Sequence, residues 1–201
     1  MRCFRGFILS CLLCLSFSPQ AADAPKSAVP TKTSQPIYIY RLQPLIENDW
    51  LTLNAQTRIQ LPKTVTEALL HEIPLTFTIQ IQLLTDKDFL GFSTSDALFD
   101  LNYQTVLSYA SFNQKFILLN QRNKKVKLLN DLAKALETLG TFEHFKILPL
   151  HQLNPDRHYQ LRLRIYLDRW QLPTPLTLEA LYKGDWSLDS GWVSEEVSFE
   201  Q

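Results

Sequence analysis

Four histidines, His71, His144, His151 and His158, are the side chains of this 201-residue chain best suited to hold a metal ion. A zinc site needs three or four nitrogen, sulfur or oxygen ligands drawn together, usually starting from two ligands close in sequence. No two of these histidines are nearer than seven residues, and Cys3, Cys11 and Cys14 all fall in the first fourteen residues. Surface or structural roles are expected for the four, and no metal. Ser187-Leu188-Asp189-Ser190-Gly191 places hydroxyls beside a carboxylate, as a hydrolase would. A nucleophile elbow, however, needs glycine two positions before the serine, where Ser190 has Leu188. Asp, Ser and Gly together are also the composition of a tight turn between strands. Asp185 with Asp189, or Asp86 with Asp88, could offer oxygens to calcium, but neither segment has the alternating acids, glycine and closing glutamate of a calcium loop. With five glycines in the chain and no phosphate-cradling loop, nucleotide binding by a familiar motif is excluded. The expectation is no catalytic residue, no cofactor and no metal.

Candidates for binding are clearer. Arg122, Lys124, Lys125 and Lys127 form the one dense basic cluster, between turn-forming Asn120 and Asn123 and a following helix. It reads as a solvated hairpin tip. The sharper reading is a contact for anionic headgroups or an acidic partner, where each cation is worth about 1 kcal/mol. Arg162 and Arg164 could extend that patch. Phe89-Leu90-Gly91-Phe92 is apolar for a loop flanked by Asp86 and Asp88, so Phe89 and Phe92 either pack over a sheet edge or form an exposed binding knuckle. Trp186 and Trp192 stand six apart around the turn that holds Ser190 and Gly191. One or both can clamp the turn onto the core, and ligand stacking is the alternative.

The elements that must position these residues follow from period-two alternation. Leu51–Leu61, Ile73–Leu83 and Tyr159–Leu167 each alternate apolar with polar residues, which marks strands with one buried and one wet face. Shorter strands are expected over Ile37–Leu42, Leu101–Tyr109, Lys115–Asn120, Phe145–Leu148, Leu176–Tyr182 and Val193–Phe199. Thr64-Val65-Thr66-Glu67 has the form of a capping box for one helix. Asn130 can cap a second, stopped by Gly140. Asp86–Asp100 reads as a loop with a helical turn begun at Ser95. The prediction is a mainly β (α+β) domain, an antiparallel β-sandwich-like fold with two short helices.

Arg2 and Arg5 precede an apolar run from Phe7 to Phe17, followed by Pro19 and Ala21-Ala22. Eleven residues at ~1.5 Å each cover about half of a ~30 Å bilayer core, so residues 1–22 read as a signal peptide. Export to the periplasm follows. Gln20 is a poor residue three back from a cut after Ala22, so an uncleaved signal anchoring the chain to the inner membrane is the alternative. Ser10-Cys11 comes too early for lipidation. Residues 23–36 hold Pro25, Pro30 and Pro36 and no aromatic, and are expected to be an extended, flexible tether. The domain is expected over 37–201. Removing Arg2 and Arg5 leaves 20 − 2 = 18 basic against 20 acidic side chains. That balance gives no general attraction to nucleic acid and at most peripheral contact with a membrane.

Near the C-terminus, Leu172-Pro173-Thr174-Pro175-Leu176, Ala180, and Asp185-Trp186-Ser187-Leu188-Asp189-Ser190-Gly191-Trp192 resemble the close of the bacterial domain-of-unknown-function family 4390. Glu67-Ala68-Leu69 leading into Ile73-Pro74-Leu75-Thr76-Phe77, Leu107-Ser108-Tyr109 and Tyr159–Leu167 are similar to the same family. Asp86–Phe92 departs from the arginine- and tryptophan-rich stretch expected there. The resemblance implies an exported protein and carries no catalytic residue. Its members often sit beside genes for a membrane sensor kinase and its response regulator, which implies an accessory to membrane signalling. The functional expectation is a periplasmic, non-enzymatic interaction module for an envelope or inner-membrane protein, with a sensor kinase as a candidate partner. A binder of lipid or another hydrophobic ligand is the alternative, and an envelope hydrolase the third reading.

Overall fold

Alternation of apolar and polar residues decides most of the architecture in the computed structural model, which describes residues 35–89 and 92–199. Strands β1 (Ile37–Glu47) and β2 (Trp50–Ile59) form a hairpin. Its two-residue turn, Asn48-Asp49, has both φ angles positive (49° and 61°), the backbone of a type I′ turn that asparagine and aspartate tolerate. Strand β7 (Thr141–Pro149) pairs with β2 and completes a three-stranded sheet, β1-β2-β7. The second sheet has six strands, ordered β6 (Val126–Leu129), β5 (Lys115–Asn120), β4 (Phe92–Ala110), β3 (Leu75–Phe89), β8 (Tyr159–Leu167) and β9 (Val193–Glu196). Every pairing is antiparallel.

The two sheets share one core. Leu75, Phe77, Ile79, Ile81 and Leu83 of β3, Leu161, Leu163 and Ile165 of β8, and Leu51, Leu53 and Ala55 of β2 are buried in it. The outer face of the six-stranded sheet carries the opposite phase. Gln80 lies between Asn102 and Arg164 there, and Gln82 between Asp100 and Arg162. This is a mainly β (α+β) sandwich-like domain, as the alternation predicts.

Helix α1 (Lys63–Leu70) buries Val65, Ala68 and Leu69, and α2 (Leu132–Gly140) buries Ala135, Leu136 and Leu139. Neither starts as expected. α1 begins at Lys63 behind Pro62, so Thr64 is already inside the helix. Its hydroxyl donates instead to the Asp185 carboxylate at 2.9 Å. α2 is capped by Asp131, which accepts from the Lys134 N–H at 3.2 Å, one residue after Asn130. Gly140 closes α2 without a left-handed turn and lies directly against the backbone of Thr57.

Larger corrections concern three segments. Leu176–Tyr182, expected as a strand, belongs to a third helix, α3 (Thr174–Tyr182). Pro173 and Pro175 fix φ at its first turn, where the missing N–H groups cost nothing, and this outweighs the apolar alternation. Asp86–Asp100, expected as a loop with a helical turn, continues the β3–β4 hairpin through Asp86↔Ser95 and Asp88↔Ser93. The hairpin runs on past Thr85↔Tyr159, where β8 stops pairing, so no core imposes alternation on it. Val126–Leu129, read only as part of a basic tip, is strand β6.

Candidate interaction surface

The β5–β6 hairpin presents the basic cluster on a turn built by two asparagines. The Asn120 side-chain oxygen accepts from the Arg122 N–H at 2.9 Å, and that of Asn123 accepts from the Lys125 N–H at 3.0 Å. Lys124 takes the left-handed backbone (φ 57°) that closes the turn. The four cations do not act alike. Arg122 lies 4.8 Å above the ring of Phe145, which stacks on Tyr103 and meets Phe142 edge-on. Burial pushes the Tyr103 hydroxyl up to about 12, with the Arg122 charge pulling the other way. Arg122 therefore ties the hairpin to β7 of the other sheet through a cation–π contact. Lys124, Lys125 and Lys127 stay exposed.

Strand β6 pairs only with β5 among the described residues, so its outer edge carries unpaired ladder groups. Val126 and Leu128, opposite Leu119 and Ile117, turn their side chains to the outer face of the sheet and are 57% and 63% exposed. Lys127 points the other way, opposite buried Leu118. An apolar pair thus sits on an open edge, with Lys124 and Lys125 in the turn at its start and Lys127 on the opposite face.

Arg162 and Arg164 do not extend this patch. They are on β8, four strands from β6, or about 19 Å at ~4.8 Å per strand. Arg162 donates to the Gln82 side-chain oxygen at 2.8 Å through Nε, and its guanidinium lies 4.3 Å from the centre of the Trp192 ring. Gln82 in turn donates to Asp100 at 2.8 Å. Arg164 forks onto Asp189 at 3.0 and 2.5 Å. Burial pushes the Asp189 carboxyl up, but the hydrogen bonds from Arg164 and the Gly191 N–H outweigh it and hold the group below its ordinary value.

The Ser187–Gly191 turn is pinned to the edge of β8. Ser190 accepts from the Ile165 N–H at 3.0 Å and donates to the Gly191 carbonyl at 2.7 Å, so both capacities of its hydroxyl serve the backbone. Gly191 supplies the positive φ (64°), and its N–H donates to Asp189 at 2.8 Å. Trp186 is fully buried, and its indole N–H has no partner among the described residues. Trp192 is 37% exposed and serves as the platform for Arg162. Of the two tryptophans, Trp186 alone anchors the turn in the core.

The backbones of Phe89 and Phe92 face each other at the end of the β3–β4 hairpin, and their side chains lie outside what is described. The histidines are scattered. His71 Nδ1 is 2.7 Å from the Glu67 carbonyl oxygen, His144 is 2.6 Å from Glu47, and His158 is 3.4 Å from Glu196. His151 lies in the 3-10 turn Leu150–Gln152. Among the described residues, no three His, Cys, Asp or Glu side chains gather around a point that could hold a metal. One cleft of about 190 Å³ runs between Arg164, Asp168, Trp170 and Trp186, and another of about 250 Å³ between Leu84, Asp86, His158 and Glu196. Both fall short of the ~300–1,000 Å³ of a typical small-ligand pocket.

Sequence reasoning missed two exposed apolar groups. Val126 and Leu128 were hidden by the lysines around them. Leu178, Leu181 and Tyr182 were hidden by reading α3 as a strand, and Trp170, in the 3-10 turn before it, carried no pattern that marked it as exposed. The prolines at 173 and 175 were the signal that could have revealed the helix. No helix among the described residues is long and apolar enough to cross a membrane. No curated protein and no solved structure matches the chain. The family model described as Domain of unknown function (DUF4390) matches residues 34–196, a span that takes in the nine strands and three α-helices of the described residues. The chain belongs to that family.

Proposed function

We propose that this protein is an exported, non-enzymatic interaction module of the periplasm that binds an acidic, extended segment of an envelope or inner-membrane protein along strand β6. The observation that carries this reading is the open edge of β6, with Val126 and Leu128 exposed on one side and Lys124, Lys125 and Lys127 around it. An added strand would satisfy the unpaired N–H and C=O groups, while the apolar pair would give its side chains a footing. Lysines on an edge strand repel a second copy of the same edge and so guard against self-association. They attract a partner strand rich in aspartate and glutamate, which raises its rate of encounter more than its final affinity. The buried core, the small clefts and the Ser190 hydroxyl committed to backbone all favour binding over catalysis. The gene neighbourhood that the family resemblance implies makes the periplasmic part of a sensor kinase the first partner to test.

The direct experiment is crosslinking in intact cells with a C-terminally tagged chain, followed by mass spectrometry. The sensor kinase should be captured with the wild-type chain and lost with Lys125→Glu/Lys127→Glu. Equal capture by both chains would remove the edge from the account.

A further inference from the structure

A second exposed apolar group sits at the opposite task from strand addition. On α3, Leu178, Leu181 and Tyr182 follow i, i+3, i+4 spacing and share one face. They are 57%, 44% and 89% exposed, while Ala180 on the other side is buried. The adjoining 3-10 turn Arg169–Gln171 adds Trp170, 72% exposed, and is tied to α3 by the Arg169 guanidinium donating to the Ala180 carbonyl at 3.1 Å.

This group lies at the end of the domain where the chain enters. Pro36 accepts from the Gln60 N–H at 2.7 Å, and three residues later α1 begins. Thr64 of α1 holds Asp185 in the 3-10 turn Gly184–Trp186, which follows α3 directly. On the sequence side, Phe7–Phe17 is apolar and flanked by Arg2 and Arg5. Between Ala22 and Ile37 there are fourteen residues, which can span no more than on the order of 50 Å even fully extended.

We infer that this end of the domain rests on a lipid bilayer, with Trp170, Leu178, Leu181 and Tyr182 in its interfacial layer. Three observations select lipid over other occupants. Tryptophan and tyrosine around leucine is the composition of a membrane–water interface, where a ring is apolar at one side and wet at the other. Taking ~150–250 Å² for each aromatic, the four side chains offer on the order of 500 Å². That is short of the ~800 Å² per partner of a standard protein interface. With the signal retained, the apolar run Phe7–Phe17 would tether the chain to the bilayer within that span and raise the effective concentration of bilayer, so a modest contact suffices. This end carries no surplus of positive charge: Lys63, Arg169 and Lys183 face Glu67, Asp168, Glu179 and Asp185. Lys183 pairs with Glu179 at 2.7 Å and Lys63 with Glu67 at 3.6 Å, so the attraction is apolar and not coulombic.

The test uses the purified full chain with phosphatidylcholine–phosphatidylglycerol vesicles whose acyl chains are brominated, and reads tryptophan fluorescence. Bromine should quench a component of the emission that Trp170→Phe removes. Leu178→Glu/Leu181→Glu, checked for an unchanged circular dichroism spectrum, should lose that quenching. Raising salt from about 0.05 to about 0.5 M should leave it intact, since exposed charges are then screened. Absence of bromine quenching at Trp170 would overturn the inference, as would quenching that persists in the glutamate variant. A Trp170 emission shift that depends on protein concentration and not on lipid would assign the face to a second copy. None of these outcomes involves the partner at β6, so the two readings stand or fall separately.

Discussion

Gly140 and Thr57 approach so closely that a Cβ built on the glycine would lie 2.7 Å from the Thr57 carbonyl oxygen and 3.0 Å from the Thr57 Cβ. The end of α2 thus rests on the backbone of β2, and the glycine sets the helix-to-sheet distance. Replacing glycine by alanine within a helix gains up to ~1 kcal/mol from propensity, less at the last residue. Forcing a methyl group into backbone contact costs roughly 1–3 kcal/mol. Gly140→Ala should therefore destabilise the protein by about 1–2 kcal/mol, read as a lower urea midpoint at unchanged slope. A stabilised variant would show that α2 shifts freely.

Trp186 tests the anchor of the C-terminal turn. It is fully buried, so Trp186→Ala should cost about 3–5 kcal/mol. Trp186→Phe keeps most of the apolar volume and removes an indole N–H that has no protein partner, so it should cost clearly less than alanine. Equal losses in the two variants would mean that the N–H is held by an interaction the described residues do not provide.

Stability should depend on pH through two exposed groups of opposite sign. His144 is raised above its ordinary value by its hydrogen bond to Glu47 and then by the Glu47 charge. Its contribution is fully present below the unfolded value of ~6.5 and is lost as pH rises through the higher folded value. His144 sits at φ 47°, a conformation asparagine tolerates. His144→Asn should flatten the stability slope above pH ~6.5 without unfolding β7. An unchanged slope would remove the His144–Glu47 pair as its source.

Glu72 works the other way. The Ser111 hydroxyl at 2.6 Å and then the Ser111 N–H at 2.9 Å lower its carboxyl. The stabilisation is present above the unfolded value of ~4.3 and disappears as pH falls through the lower folded value. Glu72→Gln should weaken the acid-side dependence, measured by urea denaturation between pH ~3 and ~5. A variant as acid-sensitive as the wild type would contradict this.

How much was legible in the sequence depends on whether one face of each segment is buried. β2, β3 and β8 were plain because Leu51-Leu53-Ala55, Phe77-Ile79-Ile81 and Leu161-Leu163-Ile165 all point into a core. The tip of β3–β4 was not, because Asp86 and Ser95 lie past the end of β8, where both are exposed and no core imposes alternation. α3 was misread because Leu176, Leu178 and Ala180 alternate, although the structure buries Ala180 and exposes Leu178. The basic cluster was found by composition alone. That Arg122 is committed to Phe145, and that Arg164 is spent on Asp189, depended on contacts between segments far apart in the chain.

Glutamates in place of Lys125 and Lys127 should change binding and little else. Both side chains are exposed, and surface substitutions usually alter stability by about 0.5 kcal/mol or less. The variant should keep its urea midpoint while its partner signal falls with weakened salt dependence. Loss of stability would mean the lysines hold the hairpin together.

The most direct measurement places a photocrosslinking amino acid at Leu128 in living cells, with exposed Asp156 as the comparison site. The account predicts a crosslink from position 128 to one envelope protein, mapped to an acidic segment of it and absent from position 156. Crosslinks from both positions to the same proteins, or from 156 alone, would contradict β6 as the binding edge.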